Sequence, residues 1–356
     1  MEPAQHMQIV NQPVSYAERC IRTNSGTAVI WPFLNAEKGT GPYELFLDTN
    51  ALTNVQWFAQ LPEEIRTKSV INPWPAMQEQ WLSNPQFRES TTDRINAMIE
   101  GLARLGAPFR NQFAQQQERL LRKNDAALRT QFSSIVPYVA IMKSLLAPNL
   151  PPEQALQRLE GMTQEDIPRF TSAIMLTALG TLLKGSQSLK LADDHKPAFS
   201  YLNSFLAFQS GQKDETDHIN VAYLRNRAGD LNLWLTLPLL RQKGYRFVGT
   251  PAIVTGDRAL HRLIVRVIPP VLLSNLAMSV SLSPEGLPTP LCQRISDIAN
   301  SVQVRTDPTP EELLARMSNL FDLAKACCAD ERERHALDQV FSGWWRPGFG
   351  RHIDLS

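Results

Sequence analysis

The sequence predicts an α/β fold in which two separated strand regions form one sheet and a large helical insertion lies between them. Three observations lead there. Over residues 26–83, short β-branched and aromatic runs alternate with turn formers. From 87 to 208, apolar side chains recur at spacings of three and four. An apolar strand, Ala252-Ile253-Val254-Thr255, then returns late in the chain.

Taken in order, residues 27–33, 44–48 and 68–72 read as strands, bounded by Pro32, the turn at 39–42 and Pro73. In the helical block, Ile95, Met98, Ile99, Leu102 and Leu105 mark one apolar stripe, and Leu120, Leu121, Leu128 and Phe132 mark another. Pro108, the prolines between 148 and 152, and Pro168 divide the block into several helices. Asp230 opens a helix that runs to about residue 243, where Gly244 stops it. Residues 263–268 read as a further strand. The run Thr309-Pro310-Glu311-Glu312 has the chemistry of a helix start: a threonine cap, proline in the first turn, and acids on the positive end of the dipole. The segments are therefore 26–86 and 209–283 for the two parts of the α/β core, 87–208 for the insertion and 284–356 for a helical C-terminal extension.

The 356 residues supply ample apolar mass, 43% by count, and a net charge of +1 offers no overall attraction to nucleic acid. A polyanionic partner must be held by a local patch or by metal ions. The four cysteines (Cys20, Cys292, Cys327, Cys328) lack disulfide-framework and zinc spacings and read as thiols of a reducing compartment. The N-terminus has no apolar signal core, and the run from 263 to 278 is too interrupted to span a membrane, so a soluble cytoplasmic protein is expected.

Four acids carry the chemical reading. Leu45-Phe46-Leu47-Asp48-Thr49-Asn50 is a strand that runs into an acid and two small polar residues; Asp48 is either a helix cap or a ligand at a strand end. Ala252 to Asp257 repeats that logic, with Thr255 able to donate its hydroxyl to a nearby carboxylate. The two acids meet only if their strands lie side by side and parallel. Asp230 is a helix cap or a third ligand, and Glu79, on a short helix over 76–82, is a surface acid or a fourth. Carboxylate oxygens are the hard ligands that Mg²⁺ or Mn²⁺ prefers, and such ions can activate water against a phosphodiester.

The order Asp48-Thr49-Asn50, Glu79, Asp230, then Thr255-Gly256-Asp257 resembles the four-acid pattern of PIN-domain nucleases over residues 40–85 and 225–270. That resemblance implies an α/β/α sandwich with a central parallel sheet, Mg²⁺ or Mn²⁺ held by Asp48, Glu79, Asp230 and Asp257, and RNA cleavage more than DNA cleavage. Asn50 and Thr255 would support the site. The interval of about 150 residues between the middle acids departs from compact members and leaves Asp214, Glu215 and Asp217 as alternative third acids. A toxin-like or defence role, with a partner or inhibitor protein at the insertion, fits a nuclease of this kind.

Arg225 and Arg227, beside Asp230, are the expected nucleic-acid contacts. Arg110, Arg119, Arg122, Lys123 and Arg129 form either a phosphate-tracking face or a solvated one interspersed with Glu118 and Asp125. Trp344 and Trp345 read as a packed tail or as a stacking platform. His195, His218 and His261 have no zinc spacing, and no nucleophile-elbow serine or Gly-rich phosphate loop occurs. Two other readings stand beside the nuclease. One is a non-catalytic helical interaction protein, which requires Asp48 and Asp257 to lie far apart; the other is a metal-dependent phosphatase of small phosphate esters.

Overall fold

The computed structural model describes residues 14–34, 38–191, 194–210, 214–242, 244–264, 270–272, 278–280, 282–302 and 308–354. Its sheet contains β1 (Cys20–Arg22), β2 (Ala28–Ile30), β3 (Tyr43–Leu47), β4 (Ser69–Asn72) and β5 (Thr250–Thr255), in the order β1-β2-β5-β3-β4. The two strand regions thus form one sheet, and the late strand β5 sits at its centre. β3 runs parallel to both β4 and β5, whereas β2 and β1 are antiparallel additions, so the sheet is mixed rather than wholly parallel. β6 (Pro270–Leu272) and β7 (Met278–Val280) form a separate antiparallel pair.

The near-continuous apolar reading of β3 follows from burial on both faces. Phe46, Ile253 and Ile30 enter the larger core, whereas Leu45, Leu47, Val254 and Val29 enter a second core on the opposite face. That second core is closed by α2 (Thr49–Thr53), α3 (Gln56–Ala59) and α4 (Glu63–Arg66), through Leu52, Trp57, Phe58 and Ile65. (α1, Tyr16–Arg19, precedes β1.) Helices therefore cover both sides of the sheet.

After β4 come α5 (Trp74–Ser83), α6 (Pro85–Glu89), α7 (Thr91–Arg104), α8 (Phe113–Ser133), α9 (Val136–Leu145), α10 (Pro152–Thr163), α11 (Thr171–Gly185) and α12 (Ala198–Phe205). Then α13 (Val221–Gln242) leads back to β5, and α14 (Thr289–Ser301), α15 (Pro310–Cys327) and α16 (Glu331–Val340) follow. The helical block shares one continuous core with α5, α13 and the C-terminal helices, through residues such as Leu128, Leu179, Leu237 and Leu320. A buried carboxylate also joins the block to the sheet. Glu44 on β3 accepts from Arg110 Nη2 at 3.0 Å, Asn72 Nδ2 at 2.8 Å, Tyr245 Oη at 2.8 Å and Val248 N at 2.9 Å.

Two local expectations are corrected. The helix expected from Asp230 starts nine residues earlier, at Val221, with Asn220 Oδ1 capping Tyr223 N at 2.8 Å. Burial of Asn226, Arg227 and Ala228 holds Gly229 inside the helix against its low propensity. The strand expected over 263–268 is not one at its start, since Leu263 and Ile264 belong to a π-helical turn, Leu260–Ile264; residues 265–268 lie outside the described residues. The stop at Gly244 is present, with φ of +77° and Tyr245 N donating to Leu240 O at 2.9 Å. So is the start at Thr309, as a full capping box with Glu312.

The tryptophan pair is a packed tail. Trp345 is buried, with Phe341 stacked at 5.5 Å, and Trp344 lies 6.2 Å from Phe132 under the Arg129 guanidinium. Gly348 makes this docking close, because a Cβ there would lie 2.1 Å from Ala126 O and 2.2 Å from Thr130 Oγ1. Gly348→Ala is expected to destabilise the protein by about 1–3 kcal/mol, the usual range for overpacking, read as a lower urea midpoint. A midpoint within error of wild type would mean that the tail is not seated there.

The basic face of α8 is largely committed to local pairs: Arg122 with Glu118 at 2.8 Å, Lys123 with Asp354 at 2.7 Å, and Arg129 with Asp125 at 3.1 Å. All four cysteines are free thiols. No helix among the described residues is long and apolar enough to cross a membrane.

Candidate active site

The site lies where β3 and β5 end side by side. The parallel register pairs Leu47 with Val254, which places Asp48 and Thr255 next to each other, and Asp48 N donates to Val254 O at 3.1 Å. Asp48 has two engagements. Its Oδ1 caps α2, accepting from Ala51 N at 2.6 Å, and its Oδ2 accepts from the Thr255 hydroxyl. It is therefore the helix cap of the two roles offered by the sequence, at the end of a strand.

Asp257 follows the Thr255-Gly256 turn. Its N–H donates to Thr255 Oγ1 at 3.0 Å, and its Oδ1 accepts from Ala259 N at 2.7 Å and Leu260 N at 3.1 Å. These bonds start the π-helical turn and hold the side chain by one oxygen; Oδ2 takes none of them. A Cβ on Gly256 would lie 3.3 Å from Asn50 Cβ, so exposed Asn50 flanks the same turn.

Glu79 reaches the group from α5, and its Oε2 accepts from Thr49 Oγ1 at 2.6 Å. Thr49 thus orients Glu79 as Thr255 orients Asp48. The sequence motif alone gives Thr49 no such role; its hydroxyl, one residue after a strand-end acid, is the signal for it.

Burial pushes the Asp48 carboxyl up to about 7. The bonds from Thr255 and Ala51 oppose the rise, and the negative charges of Glu79 and Asp257 add to it. Three acids therefore share one electrostatic neighbourhood, at a cost to the fold when all are charged.

Asp230 is placed differently. It lies inside α13, not at its start, and its carboxylate is 3.7 Å from Arg227 Nη1 on the same helix. Its neighbour Gly229 faces Glu79, since a Cβ there would lie 3.8 Å from Glu79 Cγ. Arg225, one turn earlier, is half-buried; burial lowers its pKa, and the charge of Glu79 works against that.

Arg227, expected to touch nucleic acid, is buried instead. Its Nη2 donates to Glu215 Oε2 at 3.1 Å and to Ala207 O at 2.8 Å. Glu215 is buried too, and also accepts from Asn226 Nδ2 at 3.0 Å and Gln209 N at 2.8 Å. That pairing removes Glu215 from the alternatives for the third acid. Asp214 and Asp217 are exposed, and Asp217 bonds His218 at 3.1 Å.

The donor set at the strand ends is all oxygen and all acidic, which suits a hard divalent cation. Among the described residues no three His, Cys, Asp or Glu side chains stand close enough to enclose one. Comparison with known protein families, characterised proteins and solved structures finds no match for this chain.

Proposed function

We propose that this chain is a metal-dependent nuclease of the PIN-like kind, cleaving RNA in preference to DNA, with Asp48, Glu79 and Asp257 as its reacting acids. The observation that supports it best is the Asp48 carboxyl, held by Thr255 at the end of two adjacent parallel strands beside two further acids. Adjacent strand ends also count against the interaction-protein reading, which needed Asp48 and Asp257 far apart.

A bound Mg²⁺ or Mn²⁺ would supply an acidified water and offset charge on the phosphate. The chain's own part is to present carboxylate oxygens already oriented: Asp48 by Thr255 and Ala51, Glu79 by Thr49, and Asp257 by the two N–H groups that it caps. Arg225, half-buried near Glu79, is the residue suited to hold a phosphate oxygen of the strand. Asp230, 3.7 Å from Arg227 Nη1, enters as a fourth acid on the family resemblance alone, as does the RNA preference.

The test is cleavage of labelled single-stranded RNA and DNA by the purified protein with Mn²⁺, Mg²⁺ or EDTA, beside Asp48→Asn and Asp257→Asn. Metal-dependent cutting is expected to fall roughly 100-fold or more in each variant, since changes behind the ligands alone cost about 10–100-fold. Cutting that survives both variants places the chemistry elsewhere. Hydrolysis of mononucleotides without cutting of polymers would replace the nuclease by a phosphatase.

A further inference from the structure

A cavity of about 410 Å³ lies between the helical block and α13. Its walls are mainly apolar, with Ile135, Leu176, Leu231, Trp234, Leu239 and Ile264 facing one another across it. None of the acids at the strand ends lines it. The size is that of a small-molecule site.

Arg169, also a lining residue, gives this apolar space a polar end. One arm of its guanidinium is used, with Nη2 donating to Asn300 Oδ1 at 2.7 Å. Its Nε–H is shut off from solvent and has no hydrogen-bond partner among the described residues. Burial lowers the pKa of the group. The guanidinium charge of this lining residue favours an anionic head group at that end of the cavity.

A second positive feature points the same way. α11 begins beside Arg169 with Phe170 as its N-cap, which has no side-chain oxygen to offer its first N–H groups. The first-turn residues Thr171, Ser172 and Ala173 line the same cavity, so the helix dipole adds to the guanidinium charge.

We infer that this cavity binds a small amphipathic anion, its apolar body between α11 and α13 and its carboxylate or phosphate head on Arg169 and the start of α11. The inference does not depend on the nuclease reading, since it uses none of that site's residues.

It is tested on the full chain with two fluorescent probes of similar body, anionic 8-anilinonaphthalene-1-sulfonate and neutral N-phenyl-1-naphthylamine. Wild type is expected to bind one equivalent of the anionic probe, about tenfold or more tighter than the neutral one, the worth of one charge-assisted hydrogen bond. Arg169→Gln is expected to erase that preference, and Ala173→Phe, which fills the cavity, to weaken both probes about tenfold, matching the loss of a similar free energy. Both variants are first checked for wild-type circular dichroism and unfolding midpoint; if Ala173→Phe is misfolded, Leu176→Phe takes its place. Displacement by decanoate supports a carboxylate head and displacement by phenyl phosphate supports a phosphate head. The inference is overturned if neither displaces the probe, if the anionic preference survives Arg169→Gln, or if the cavity-filling variant binds as wild type does.

Discussion

Asp48→Asn is expected to make the metal-free protein more stable at pH 8 while removing its chemistry. The sign follows from the raised carboxyl. Folding lifts the Asp48 pKa from 3.8 to about 7, so between those values the folded chain binds more protons than the unfolded one. Stability from this group is then greatest at low pH, declines as pH rises through that window, and is least above about 7, the folded pKa. Asparagine keeps the cap on α2 without the charge. The gain at pH 8 in EDTA is on the order of 2 kcal/mol, a few degrees in melting temperature; it should fall by about half or more at pH 5 and vanish only below 3.8, the unfolded pKa. Mg²⁺ or Mn²⁺ should reverse the order, because an ion at one hundred times its dissociation constant adds about 2.7 kcal/mol to a protein that binds it. Calorimetry of both proteins at the two pH values, with and without metal, decides the matter. A variant less stable than wild type in EDTA at pH 8 would show that Asp48 serves the fold and is not a strained functional acid.

The largest loss of stability is expected from breaking the Arg227–Glu215 pair. Both side chains are almost fully enclosed, at 2% and 0% exposure, so removing the cation leaves a carboxylate buried without its counter-charge. Arg227→Met should cost on the order of 3–5 kcal/mol. The guanidinium also lies 5.2 Å from the Tyr223 ring and 5.8 Å from the Phe205 ring, contacts that the methionine replaces only in part. Adding Glu215→Gln in the same chain should recover part of the loss, since it removes the stranded charge. Urea titrations of the two single variants and the double variant measure the coupling. A single variant that loses less than about 1 kcal/mol, the scale of an exposed pair, yet binds nucleic acid more weakly, would return Arg227 to the surface role that its sequence position suggests.

Much of the architecture could be read from local pattern, because strands and amphipathic helices announce themselves through spacing. The runs that end at Leu47 and Thr255 were readable as strands, and the acid after each was readable as a strand-end acid. Their meeting was not, because the sheet order that sets β5 beside β3 is decided by packing across the molecule. Glu79 could be found only by its order relative to the others. Arg227 misled for a related reason. Arginine next to Asp230 reads as solvated, and its true partner sits in a polar loop whose composition gives no sign of burial. The start of α13 is hidden in the sequence because Gly229 before Asp230 reads as a break ahead of a cap, whereas the good helix formers Arg225, Arg227 and Ala228 carry the helix through it. Residues 263 and 264 read equally as strand or helix, since a short apolar run looks the same in both; the Asp257 cap decides between them.

The strand at the centre of the sheet is also the last of its five to be synthesised. The hydrogen bond between Thr255 and Asp48 spans 207 positions. Until residue 255 has emerged from the ribosome, β2 and β3 have no neighbour at the edges that β5 will fill, and such open edges invite pairing with other chains. Closing so long a loop also places this protein among slow folders. The acids cannot come together before that closure, so a chain cut short ahead of β5 carries Asp48 and Glu79 but no assembled site. On the proposed function, a nascent or truncated copy would be chemically silent until the sheet is complete.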